Sequence, residues 1–187
     1  LQYGYRLAHL ESMPPDRLLD QPLTQTPILI AGAGPVGLTL AIVLAQFGVS
    51  CLVIERNSDT TRHPKMDITN GRSMEIFRRI GIAEKIINAG VDPNICLDVA
   101  WITGFTGYEI HRFKYEAPNK VRENYRKLND GSHASEPGIR ISQIVVEPLL
   151  RDIAADSPYV MLCYGWTFEH MSQDPAGVTV TVSNSKN

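Results

Sequence analysis

The sequence predicts an α/β fold: a parallel βαβ unit with an antiparallel part appended to it. Three observations carry that reading. Pro27-Ile28-Leu29-Ile30-Ala31 and Cys51-Leu52-Val53-Ile54 are short, wholly apolar runs, the pattern of parallel strands buried on both faces. Between them lie Gly32-Ala33-Gly34-Pro35-Val36-Gly37 and a helical stretch to about Phe47, closed by Gly48, which suits a parallel crossover. From Asp98 onward the pattern changes to short strand-like runs around turn residues, as in hairpins.

Taken in order, residues 1–25 form an N-terminal extension. They show no charged start followed by an apolar stretch, so no signal peptide is read there. The chain opens on Leu1, and Met13 offers a natural start. Residues 26–97 hold the βαβ unit and the helices after it. Beyond Glu55 a loop rich in Thr, Arg, His and Pro leads to Asn70, which caps a helix to Ile80 with Gly81 at its C′ position. A second short helix, Ala83 to Ala89, stops at Gly90.

Residues 98–138 form the next division. Asp98–Ile102 and Tyr108–Phe113 pair as a hairpin around Gly104 and Gly107, and residues 114–137 are read as a mobile or inserted charged loop. Residues 139–187 return to the first domain. Ile139–Ile141 is a short strand, followed by a helix to about Ala155 whose regular part begins near Glu147, so that Pro148 occupies its first position. Tyr159–Tyr164, Trp166–Met171 and Val178–Val182 are strands. No strand follows the last one, which leaves an open edge, and the chain is expected to be cut short there.

Composition narrows the function. An apolar fraction of 43% is ordinary for a globular domain, and a net charge of −2 gives no field that favours nucleic acid. No run approaches the length of a membrane span. Cys51, Cys96 and Cys163 are odd in number and widely spaced, so they are read as buried, reduced thiols in a cytoplasmic setting. His9, His63, His111, His133 and His170 lack metal-ligand spacing, so no metal is expected. Ser12, Ser142 and the other serines have no nucleophile-elbow context.

The glycine-rich turn carries the chemistry. At a strand-to-helix junction, Gly32 permits the tight turn, Gly34 lets a pyrophosphate approach the backbone, and Gly37 lets helix and strand pack closely. Pro35 fits the first helical position, and the free N–H groups of the helix start face the anion. Glu55, ending the second strand, is placed to accept from ribose hydroxyls. The fingerprint alone fits either FAD or NAD. FAD is favoured because no second βαβ unit follows Glu55 at once. Arg72 falls in the first turn of the helix capped by Asn70, where the helix dipole opposes a cation unless an anion lies near.

Ile-Ala-Gly-Ala-Gly-Pro-Val-Gly-Leu-Thr-Leu, then Ile-Glu-Arg, then His63-Pro64-Lys65-Met66-Asp67-Ile68-Thr69-Asn70-Gly71-Arg72-Ser73-Met74-Glu75-Ile76-Phe77-Arg78-Arg79-Ile80-Gly81, together resemble the FAD-dependent aromatic-ring hydroxylases. These are class A flavoprotein monooxygenases of the para-hydroxybenzoate hydroxylase and phenol hydroxylase type. Arg140-Ile141-Ser142-Gln143 with Glu147-Pro148-Leu149-Leu150 is similar to that family's next block. The resemblance runs from about Pro27 to Asp152.

It implies a Rossmann-like FAD-binding domain, with Arg56 beside the adenosine, Arg72 near the pyrophosphate and Gln143 near the ribityl chain. It also implies NAD(P)H as reductant, with O₂ and a small phenolic compound as the other substrates. The family's later Asp-Gly and Gly-Asp cofactor motifs are missing, since Asp130-Gly131 precedes Gln143. No catalytic acid or base is assigned. The competing readings are an NAD(P)-dependent dehydrogenase and a non-catalytic FAD-binding fragment.

Overall fold

The computed structural model describes residues 25–184. The proposed start at Met13, together with His9 and Ser12, lies outside the described residues. In chain order the elements are β1 (Leu29–Ala31), α1 (Pro35–Gln46), β2 (Cys51–Glu55), β3 (Ile68–Thr69), α2 (Gly71–Arg79) and α3 (Ala83–Ala89). There follow β4 (Val99–Ile102), β5 (Glu109–Phe113), α4 (Pro118–Leu128), β6 (Ile139–Arg140) and α5 (Gln143–Ala155). β7 (Val160–Tyr164), β8 (Trp166–Asp174) and β9 (Gly177–Asn184) complete the order. The chain divides into two compact units, one running to Arg62 and resuming at Glu147, the other His63–Val146.

The first unit is built on a parallel sheet of order β1-β2-β7, with Ile30 opposite Val53 and Val53 opposite Leu162. β2 is buried from Cys51 to Ile54, as its unbroken apolar run predicts. Leu52, Ile54, Cys163 and Trp166 form one cluster, with Leu29, Met161 and Val182 packed against it. α1 buries Leu38, Ala41 and Ile42, the i, i+3, i+4 stripe of a helix lying on a core. Pro35 opens α1, as the sequence predicts. β8 and β9 pair antiparallel along their length, so the last strand has a partner on one side.

In the second unit Asn70 caps α2, its Oδ1 accepting from Ser73 N–H at 2.8 Å, and Met74 and Phe77 are buried. α3 spans the predicted residues. β4 and β5 form the predicted antiparallel hairpin, and β3 pairs with β6.

Three expectations need correction. Residues 114–137 are not an irregular loop, because they contain the eleven-residue helix α4. Its start is set by Pro118 in the first turn, and Asn129 closes it in a left-handed conformation (φ 43°). Glu123 pairs with Lys120 and Lys127, three and four residues away, so the charges that suggested a loop are spaced for one helical face. Arg122, in turn, reaches the buried carboxylate of Glu136 at 3.1 Å.

Second, α5 begins at Gln143, and Pro148 lies inside it. The proline forgoes one helical hydrogen bond. The turn before it is held from outside, with Gln143 N–H donating to the Met66 carbonyl and Gln143 Oε1 accepting from Lys65 N–H. Val146, Leu150 and Ala154, four residues apart, are fully buried. Third, Cys51 and Cys163 are buried but Cys96 is exposed. Burial raises the Cys51 thiol above its ordinary pKa.

Candidate nucleotide site

The site begins where β1 ends. Gly32 takes φ +109°, a conformation that side chains rarely adopt, and its N–H donates to the Ile54 carbonyl at 2.7 Å. Gly34 follows in extended backbone as the N-cap of α1, accepting from Leu38 N–H at 3.0 Å. The sequence assigns Gly34 and Gly37 different tasks, and the structure separates them. A Cβ on Gly37 would fall on the Gly32 carbonyl oxygen, so its absence is what lets helix and strand close together. A Cβ on Gly34 would meet nothing within 4 Å. Nothing inside the protein demands a glycine there, as expected if the missing side chain clears space for a ligand.

The start of α1 is open in a second sense. It has no side-chain cap and no acidic residue in its first turn. The first-turn N–H groups of Val36 and Gly37 have no intrahelical acceptor, and Val36 is 85% exposed. Aligned peptide dipoles place partial positive charge at this point. An uncapped helix start behind a glycine turn that leaves room for an approaching group is a place for an anion.

Glu55 is engaged more fully than its sequence position suggests. Its Oε2 accepts from Ala33 N–H at 3.0 Å, and its Oε1 accepts from Asn57 N–H at 2.9 Å and from Asn57 Nδ2 at 2.6 Å. An ionised carboxylate offers about four acceptor positions. Three are used, which binds the glycine-rich turn to the end of β2 and leaves one direction for a further donor. Arg56 is exposed and has no ion-pair partner among the described residues.

Thus Gly32, Ala33, Gly34, Pro35, Val36, Gly37, Glu55 and Arg56 lie together in the first unit, while Arg72 and Gln143 belong to the second. Arg72 is exposed and pairs with Glu75, one turn along α2, at 3.0 Å. The Ser135 backbone N–H, and then Arg72, hold the Glu75 carboxyl below its ordinary range. Gln143 secures the loop at Lys65 and Met66, as described above.

Sequence reasoning missed the ties that hold the segment after Glu55. In the first unit Arg151 Nη1 donates to Asp59 Oδ1 at 2.9 Å, and Thr61 N–H donates to Glu147 Oε1 at 2.8 Å. The i, i+4 spacing of Glu147 and Arg151 was legible, but their partners are far away in sequence. Tyr164 sits opposite Glu55 in the β2–β7 register, with its hydroxyl buried and without a hydrogen-bond partner among the described residues. Burial pushes its pKa up to about 12, so the phenol stays neutral.

Comparison with known proteins identifies relatives of the chain. The family described as FAD binding domain matches residues 25–187. FAD-dependent monooxygenase apdD of Emericella nidulans is 37% identical over 159 residues, covering 84% of this chain and 26% of that protein. Phenol 2-monooxygenase of a Pseudomonas strain is 33% identical over 162 residues, covering 87% of this chain and 26% of that protein. The solved structure of the flavin-dependent monooxygenase PieE, in complex with FAD and substrate, superposes with a TM-score of 0.76 at 28% identity. That match covers 89% of this chain and 28% of PieE, so the chain spans about a quarter of the length of these relatives.

Proposed function

The chain belongs to the FAD binding domain family, and from that membership we propose that it supplies the nucleotide-binding part of a monooxygenase that hydroxylates a phenolic ring. The observation that carries the site assignment is the uncapped start of α1 beside Gly34, where a Cβ would meet only open space. FAD fits the residues present. The pyrophosphate would lie against the backbone of Gly32, Ala33, Gly34, Pro35, Val36 and Gly37, received by the free N–H groups of the helix start. Glu55 would use its remaining acceptor position for a ribose hydroxyl, and Arg56 would lie along the adenosine. Arg72 and Gln143 would serve the pyrophosphate and the ribityl chain.

When bound, FAD supplies the redox chemistry, with NAD(P)H as reductant and O₂ as the source of the inserted oxygen atom. The residues described here bind and orient; none is assigned to proton transfer. In this reading residues 98–138 open the substrate-facing part and residues 139–187 return to the FAD-binding part. The setting is cytoplasmic, which suits free thiols at Cys51, Cys96 and Cys163. No helix among the described residues is long and apolar enough to cross a membrane. The dehydrogenase alternative loses its support, because the family matched is an FAD-binding one.

The test is to titrate the purified chain with FAD and follow quenching of flavin fluorescence, then displace the flavin with ADP. Saturable binding that ADP competes away supports the reading. Binding that Gly34→Val leaves intact in a folded protein would remove the glycine-rich turn from the site.

A further inference from the structure

The segment that leaves β2 is fastened at several points. Glu55 holds Ala33 N–H, and Asn57 is tied twice to Glu55 while its carbonyl accepts from Gly165 N–H at 2.9 Å. Asp59 receives Arg151, and Thr61 N–H donates to Glu147. Residues 56–59 are all exposed, and Thr60 N–H donates to Asp59 Oδ1 at 2.7 Å. Glu147 and Arg151 stand four residues apart on α5, so they occupy one face of the helix and grip the same segment one turn apart.

We propose that Glu147 and Arg151 are positioning residues for the adenosine end of the dinucleotide, acting through residues 57–61 on Glu55 and Arg56. The proposal rests on the reading of the glycine-rich turn as the dinucleotide site. The two ties differ in character. Glu147 is buried, and its carboxylate accepts a backbone N–H, a charge-assisted bond in a dry setting. Arg151 and Asp59 are both partly exposed, so their ion pair contributes little as a charge pair and chiefly fixes geometry. Asp152 steadies the Arg151 guanidinium from its other side at 3.0 Å.

Without these ties the segment from Arg56 to Thr61 would have to be ordered each time a nucleotide bound, at a cost in affinity. With them the segment is set in advance. Asn57 keeps Glu55 turned toward the glycine-rich loop, and Arg56, between these two fastened residues, is exposed. A clamp that merely joined α5 to the sheet would affect folding and leave nucleotide affinity alone.

The experiment measures ADP binding by calorimetry on the full chain, with thermal unfolding of each variant alongside. Glu147→Ala and Arg151→Ala are expected to bind ADP about three- to tenfold more weakly than the unaltered chain, the scale of ordering one freed segment on binding. Glu147→Gln keeps an acceptor for Thr61 N–H and should restore affinity to within about twofold. Alanine variants that unfold earlier yet bind ADP with unchanged affinity would overturn the proposal in favour of a structural clamp. Should an alanine variant fail to fold, Asp59→Ala, an exposed position on the same tie, carries the test. It should weaken ADP binding as above, and unchanged affinity would overturn the proposal. An unaltered chain that binds no ADP would overturn the site reading and this proposal together.

Discussion

Two helix starts in this protein solve the same problem in opposite ways. Every helix begins with about four N–H groups that have no partner within it. At α2, Asn70 closes the start with its own side chain. At α1 the equivalent position is Gly34, which has nothing to cap with, and no acid follows it. The difference lies in the surroundings. α2 buries Met74 and Phe77 on a short element that needs its end secured. α1 lies on the parallel sheet through Leu38, Ala41 and Ile42, so its packing holds it without a cap. A helix start left uncapped stays open to a ligand, while one capped by its own side chain is closed.

The sharpest way to break the comparison is at Gly37. Gly37→Ala places a Cβ 2.0 Å from the Gly32 carbonyl oxygen, backbone against backbone, so helix or strand must move. A loss of about 3 kcal/mol or more in urea unfolding is expected, the upper range for overpacking a core. A well-tolerated alanine would mean that the helix is not held as closely as the structure has it.

Gly34→Val tests the neighbouring glycine for the opposite property. The new side chain meets no protein atom at its Cβ, so stability should change by no more than about 1 kcal/mol. FAD affinity, however, should fall by about a hundredfold, or 2.7 kcal/mol. Fluorescence titration beside urea unfolding reads both. If stability and affinity fell together, the two glycines would share one role and the comparison would collapse.

How far the sequence disclosed this arrangement depends on the range of the interactions. The βαβ unit, the Asn70 cap, the α3 boundaries and the β4–β5 hairpin were legible because local patterns decide them: apolar runs, cap residues and turn glycines. The α4 helix is hidden in the sequence because a dense mix of charges also marks irregular chain, although Glu123 with Lys120 and Lys127 has helical spacing. The position of Pro148 inside α5 is not legible in the sequence because the bonds that hold the turn before it come from Lys65 and Met66. The glycine-rich turn and Glu55 could be named from their motif. That Glu55 already binds Ala33 and Asn57, and that Asp59 and Thr61 are fastened to α5, could not, because these pairings depend on the folded topology.

Arg72→Ala carries the comparison to the capped helix. Arg72 is opposed by the dipole of α2 but has Glu75 beside it, so its removal should leave the protein without nucleotide about as stable as before. If Arg72 also meets the pyrophosphate, FAD affinity should fall by about 1–2 kcal/mol, the size of one charge-assisted contact. Equal affinity in the variant would confine Arg72 to its pairing with Glu75.

The smallest effect is expected at Asn70, and it bears on the comparison most directly. Asn70→Ala removes the acceptor for Ser73 N–H and should lower stability by about 1 kcal/mol, since the first turn of α2 contains no acid to compensate. Asn70→Asp keeps an acceptor and adds a negative charge at the positive end of the helix dipole, so it should match or slightly exceed the unaltered chain. Neither change touches the glycine-rich turn, so ADP affinity should stay within about twofold. Urea midpoints for the three proteins, with ADP titrations at low denaturant, separate the outcomes. If Asn70→Ala unfolded as the unaltered chain does, α2 would be secured by Met74 and Phe77 alone, and the contrast between a closed start and an open one would lose its physical basis. A fall in ADP affinity with stability unchanged would show that the cap bears on nucleotide binding too, and that closing a helix start is not its only task.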